Sequence, residues 1–207
     1  MLKELGLKKL GLIIPSKAGH IGLSVSQFGY EHYNENIFGL CYSKGFGPRL
    51  SIGVKLDYIL LKFSEGHNNI STATFEIGMQ YNISESLCIG TYIFNPIHAK
   101  TKNPNNDKIP IIMRLGLSYK ITDDFFTTSE IEKGSDQGIS CRLGMEYEIY
   151  DNLFMRSGFQ LKPEIFTFGL GYEYKKIIFD ICGEMHSKLG ASINCSLIFK
   201  IKNKYEL

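Results

Sequence analysis

The 207-residue sequence has no tryptophan, only six prolines, and no segment of about 18 consecutive apolar residues. The last absence excludes a membrane-spanning helix. It does not exclude a spanning strand, which needs only about ten residues, apolar at every second position. The five cysteines, Cys41, Cys88, Cys141, Cys182 and Cys195, are odd in number and widely spaced. They form no CxxC pair and no ligand-like spacing with histidine, which argues against a disulfide framework or a zinc site and for a packing role. Long blocks of one charge sign are absent too, and the net charge is +2, which speaks against a nucleic-acid partner bound through a basic face. In contrast, 12 Tyr, 14 Phe and 21 Gly give a composition suited to β-structure.

The hydrophobic pattern repeats every two residues over most of the chain. Ala73, Phe75, Ile77, Met79 and Tyr81 alternate with Thr72, Thr74, Glu76, Gly78 and Gln80. Ile52, Val54, Leu56 and Tyr58 alternate with Ser51, Gly53, Lys55 and Asp57, and Ile139 to Ile149 repeats the arrangement against Ser140, Arg142, Gly144, Glu146 and Glu148. Turn-forming residues separate these runs, among them Tyr33-Asn34-Glu35-Asn36, Gly45-Phe46-Gly47-Pro48, Thr122-Asp123-Asp124 and Tyr150-Asp151-Asn152. The spacing predicts strands at 19–32, 37–46, 49–63, 70–82, 87–96, 110–121, 125–132, 138–149, 153–162, 164–174, 177–186 and 189–201. The expectation is an all-β fold, an antiparallel up-and-down transmembrane β-barrel of about 12 strands. Residues 1–18 are expected to be an irregular or residual strand segment, and 19–203 one barrel domain. The 95–110 connection is longer than the others. With the C-terminus in the periplasm it falls on the outer side, where long loops of such barrels lie, together with 64–69, 133–137 and 186–189.

A soluble barrel or sandwich that binds an apolar ligand alternates in the same way, with its apolar residues inside. Uniform strand length, short turns and nearly charge-free apolar faces favour the membrane sense, in which the polar faces line the lumen. That places Arg114, Arg142 and Arg156 opposite Glu130, Glu132, Glu146 and Asp180 of neighbouring strands, with Glu173, Glu184 and His186 on the same face. Lys55, Asp57 and Glu76 extend the set. An interior network of ion pairs bracing the barrel accounts for such residues more simply than a substrate site does. Glu130-x-Glu132 and Glu146-x-Glu148 are paired carboxylates of the kind glycoside hydrolysis uses, but each lies near arginines on a polar strand face. The histidines at 20, 32, 67, 98 and 186 are scattered, and Gly169-Leu170-Gly171 sits in mid-strand, not at a strand–helix joint. We therefore expect no catalytic, metal or cofactor-binding residue, no cofactor, and no enzyme.

An ordered series of motifs carries a family resemblance. Arg114-Leu-Gly-Leu-Ser-Tyr119, Glu130-Ile-Glu-Lys133, Arg142-Leu-Gly-Met-Glu-Tyr147, Arg156-Ser-Gly-Phe159 and Phe166-Thr-Phe-Gly-Leu-Gly-Tyr172 are followed by Asp180 and His186-Ser-Lys-Leu-Gly190. The series resembles the C-terminal half of PorV/PorQ-like outer-membrane barrels, related in architecture to long-chain fatty-acid transporters. Pro15 to Tyr58, with Phe28-Gly-Tyr-Glu-x-Tyr33, resembles an interior segment of the same family. The resemblance implies a barrel of about fourteen strands, a signal peptide and an early asparagine-proline-alanine element. Neither the signal nor that element is found in this sequence, and Met1 to Ile14 is a poor signal peptide, so an N-terminally truncated member is expected. The implied location is the outer membrane, with its lipid as one partner. The implied roles are handling of protein cargo with type IX secretion-system proteins, or of hydrophobic compounds. A passive or structural barrel is the alternative.

Overall fold

The computed structural model describes residues 6–30, 33–63, 69–101 and 108–201. They form thirteen antiparallel strands in simple meander order, each paired with its neighbours in sequence. The strands are β1 (Gly6–Ser16), β2 (Gly19–Tyr30), β3 (Tyr33–Phe46), β4 (Leu50–Phe63), β5 (Ile70–Asn82), β6 (Leu87–Phe94) and β7 (Ile112–Lys120). The remainder are β8 (Phe125–Gly134), β9 (Ile139–Tyr150), β10 (Leu153–Leu161), β11 (Ile165–Tyr174), β12 (Ile177–His186) and β13 (Gly190–Phe199). No helix occurs among the described residues. Each strand forms because successive side chains alternate between two environments, and the register is fixed because a one-residue slip would exchange them.

Polarity is inverted relative to a water-soluble fold. Leu143 is 60% exposed and Phe166 59%, and nearly every strand presents a row of exposed large hydrophobic side chains. Apart from glycines, the buried residues among those described are polar, namely Asp57 (2%), Thr72, Thr74, Asn95 and Ser140, with Ile59 the one buried hydrophobic residue. On a curved sheet the concave side crowds its side chains and the convex side splays them. The polar row is thus the inner wall and the apolar row the exterior. An apolar surface of this extent is unfavourable in water and is the surface a bilayer requires.

Two features differ from the sequence expectation. β1 is a thirteenth strand where about 12 were expected, paired with β2 from Gly6↔Gly29 to Ser16↔Gly19, although Lys8 interrupts its exterior row of Leu10, Leu12 and Ile14. Pro15 is tolerated there because β1 is an edge strand. Tyr33-Asn34-Glu35-Asn36 is not a turn but the start of β3, paired with Gln27 to Tyr30 on one side and with Leu60 to Phe63 on the other. Ladder hydrogen bonds on both edges override the local turn preference of Asn and Glu. Most of the expected 64–69 turn lies outside the described residues, as do 31–32 of the expected first strand and the middle of the 95–110 connection.

Candidate functional site

The inner wall is organised in cross-strand rows. One runs Cys88, Ser118, Thr128, Gly144, Gly158, Thr167, Glu184 and Ser192, one residue from each of β6 to β13. Apart from Glu184, this belt is made of small uncharged residues. Above it Glu130, Arg142 and Gln160 stand side by side, and below it Glu146 and Arg156. A cavity of about 620 Å³ lies over the belt, lined by Thr128, Gly144, Gly158, Thr167 and Glu184 and by charged residues of both flanking rows.

The charged residues form three groups. In the first, Lys55 Nζ lies 2.8 Å from Asp57 and 3.1 Å from Glu76. In the second, Arg114 Nε donates to Glu132 at 2.6 Å and lies 3.9 Å from Glu130. Arg142 Nη1 also donates to Glu130 and, at 2.9 Å, to Glu132, while its Nε donates to Gln160 at 2.9 Å. In the third, Arg156 donates to Glu146 and to Asp180, and Asp180 also accepts from Ser196 Oγ at 2.9 Å. Arg114 additionally packs over the ring of Tyr92, and Arg156 over that of Phe154.

The remaining residues singled out from the sequence are arranged differently. Glu173 pairs with Lys200 beyond the end of β13. His186 closes the β12–β13 turn, its Nδ1 accepting from the backbone N–H groups of Lys188 (3.0 Å) and Leu189 (3.2 Å). Glu184 faces the cavity without a cation among the described residues. Outside the wall, on the β7–β8 turn, Asp123 is held below the usual carboxylate range by a hydrogen bond from Lys120.

Sequence reasoning did not find Asn95. It sits where β6 ends, wholly buried, with a positive φ of 55° that asparagine accepts more readily than most residues. Its Oδ1 accepts from Thr74 Oγ1 and from the Ala99 N–H, both at 2.8 Å, and its Nδ2 donates to the Ile109 carbonyl at 2.8 Å. Thr72 Oγ1 donates to the Lys100 carbonyl at 2.8 Å. The described parts of the long connection are thereby tied to the inward-pointing threonines of β5. In sequence Asn95 is one polar residue of an irregular loop, and nothing local marks it.

No metal-ligand cluster is present among the described residues. The chemistry of the wall is that of mostly paired charges and small side chains, suited to lining a passage.

No protein-family model matches the chain, and no curated protein matches it in sequence. Solved structures do. The P. putida toluene transporter TodX superposes with a TM-score of 0.69 at 10% identity, covering 94% of this chain and 82% of that one. A Pseudomonas aeruginosa FadL homologue gives 0.61 at 8% identity, covering 92% and 74%. A substituted Rh. blastica porin gives 0.52 at 8% identity, covering 94% and 89%. At such identities the likeness shows the fold alone: this chain folds as an antiparallel up-and-down transmembrane β-barrel, the architecture of outer-membrane transporters and porins.

Proposed function

We propose that the protein is a non-enzymatic barrel of the outer membrane that lets hydrophobic compounds cross it. The observation that carries this reading is the inverted wall: exposed apolar rows outside and a cavity of about 620 Å³ inside. Apolar side chains also interrupt the polar lining. Phe126 and Ile165 border the cavity, and Phe154 lies on the same face under Arg156. Such groups give an uncharged guest contacts that a purely polar pore lacks. The fold shared with a toluene transporter supports this substrate class, whereas the fold shared with a porin is neutral about it. The PorV/PorQ resemblance adds protein cargo and secretion-system partners, a role that rests on the resemblance alone.

The test is uptake of labelled toluene by bacteria that export the full chain behind a signal sequence and carry it in their outer membrane. Cells whose barrel shows the heat-dependent gel shift of a folded barrel should take up toluene several-fold faster than cells without it. Equal rates with folded barrel present would leave the passive structural role.

A further inference from the structure

The inner wall is acidic, although the chain as a whole carries +2. Within β4 to β12, the three ion-pair groups place Lys55, Arg114, Arg142 and Arg156 against Asp57, Glu76, Glu130, Glu132, Glu146 and Asp180. Strand alternation adds Lys120, Glu148, Glu173 and Glu184 to the same face. Lys120 is matched by Asp123 of the following turn, and Glu173 by Lys200. What remains is four cations among eight carboxylates.

The pairing geometry matters as much as the imbalance. Every one of the four cations is flanked by two carboxylates. Between β4 and β12, an anion meets no cation on the wall among the described residues that is not already engaged. Glu148 accepts only a backbone N–H, from Asn152 at 2.8 Å, and Glu184 has no cation among the described residues. Glu184 is also the one charged residue of the small-residue belt, where the wall leaves most room. Low-dielectric walls focus the field of uncompensated charge into the space between them, and rings of Asp and Glu make pores cation-preferring.

We propose that the passage attracts cations and excludes anions, so that the solutes it admits are neutral or positively charged. A fatty carboxylate is then a poor guest despite its apolar tail, and a neutral arene or an ammonium-bearing amphiphile a good one. The proposal rests on the transmembrane-barrel reading above.

The experiment is reversal-potential measurement in planar bilayers with the refolded full chain under a potassium chloride gradient. A heat-dependent gel shift first establishes that the barrel has formed, and its absence would count against the barrel reading itself. With folded barrel present, potassium should permeate several-fold better than chloride, and the preference should shrink in molar salt as screening shortens the reach of the field. Glu184→Gln should lower the preference without altering the gel shift, and Glu148→Gln should lower it less, being at the strand end. Absence of preference, a chloride preference, or silence from folded barrel would each overturn the proposal.

Discussion

Gly171 stands beside the Arg156–Asp180 ion pair and leaves the room that it occupies. A Cβ at this position would lie 2.5 Å from Asp180 Oδ1 and 2.8 Å from Arg156 Nη1. Glycine on the inner wall thus lets long charged side chains from β10 and β12 meet across β11. Gly171→Val should push the pair apart and cost about 1–3 kcal/mol, the usual range for overpacking. Gly183→Val, on the exterior face with only a backbone oxygen 3.9 Å away, should cost far less. Urea unfolding of refolded barrels in lipid vesicles compares the two, and equal costs would refute the crowding argument.

Leu143 and Gly144 are adjacent on β9 and face opposite ways. Leu143→Arg puts a charge into the lipid-facing row near mid-strand and should cost about 2–4 kcal/mol of membrane insertion. Gly144→Ser needs only the Thr128 hydroxyl, 2.8 Å from a Cβ there, to rotate. It should be the milder change in folding yield. The opposite order would reverse the assigned facing.

Arg142 holds Glu130, Glu132 and Gln160 at once. Removing one partner of a buried charge network leaves the others uncompensated. The groups are about one-third exposed, so solvent screening reduces the penalty, and Arg142→Met should cost about 1–2 kcal/mol. Adding Glu130→Gln should recover part of it, because one orphaned charge is then gone. A double variant that is additive or worse would show that Glu130 does not depend on Arg142.

Asn95→Ala removes three side-chain hydrogen bonds from a buried position and leaves the Ile109 carbonyl without its donor. The expected cost is about 1–3 kcal/mol, borne locally by the connection rather than by the strands. Limited proteolysis of the barrel in detergent should cut the connection faster in the variant, with an unchanged gel shift. Unchanged cleavage would mean that Asn95 does not anchor it.

Most of the strand pattern could be read from the sequence, because a bilayer-facing sheet needs an apolar residue at every second position and a turn wherever that period breaks. Ile139 to Ile149 and Ala73 to Tyr81 show this without help from tertiary contacts. β1 was less legible, since Lys8 interrupts its apolar face and Ile13 its polar one, and the opening of β3 was misread because Asn34 and Asn36 have strong turn preferences. Among the charged residues, alternation assigns a face but not a partner. That Arg142 reaches two carboxylates and Gln160, while Glu184 has no cation among the described residues, follows from cross-strand register. Asn95 lay beyond sequence reasoning because its role depends on Thr74 and Ile109, brought to it only by the fold.

A transport role requires that the polar rows line the passage and the apolar rows meet lipid. Because the chain has no tryptophan, a single introduced one reports its surroundings without background. Leu143→Trp and Thr128→Trp, refolded separately into vesicles, place the probe on opposite faces. Fluorescence quenching by brominated lipid and by aqueous acrylamide, an uncharged quencher, should then divide cleanly, with lipid quenching the first variant and acrylamide the second. Acrylamide quenching of Leu143→Trp together with lipid quenching of Thr128→Trp would contradict the inverted wall, and with it the function built on it.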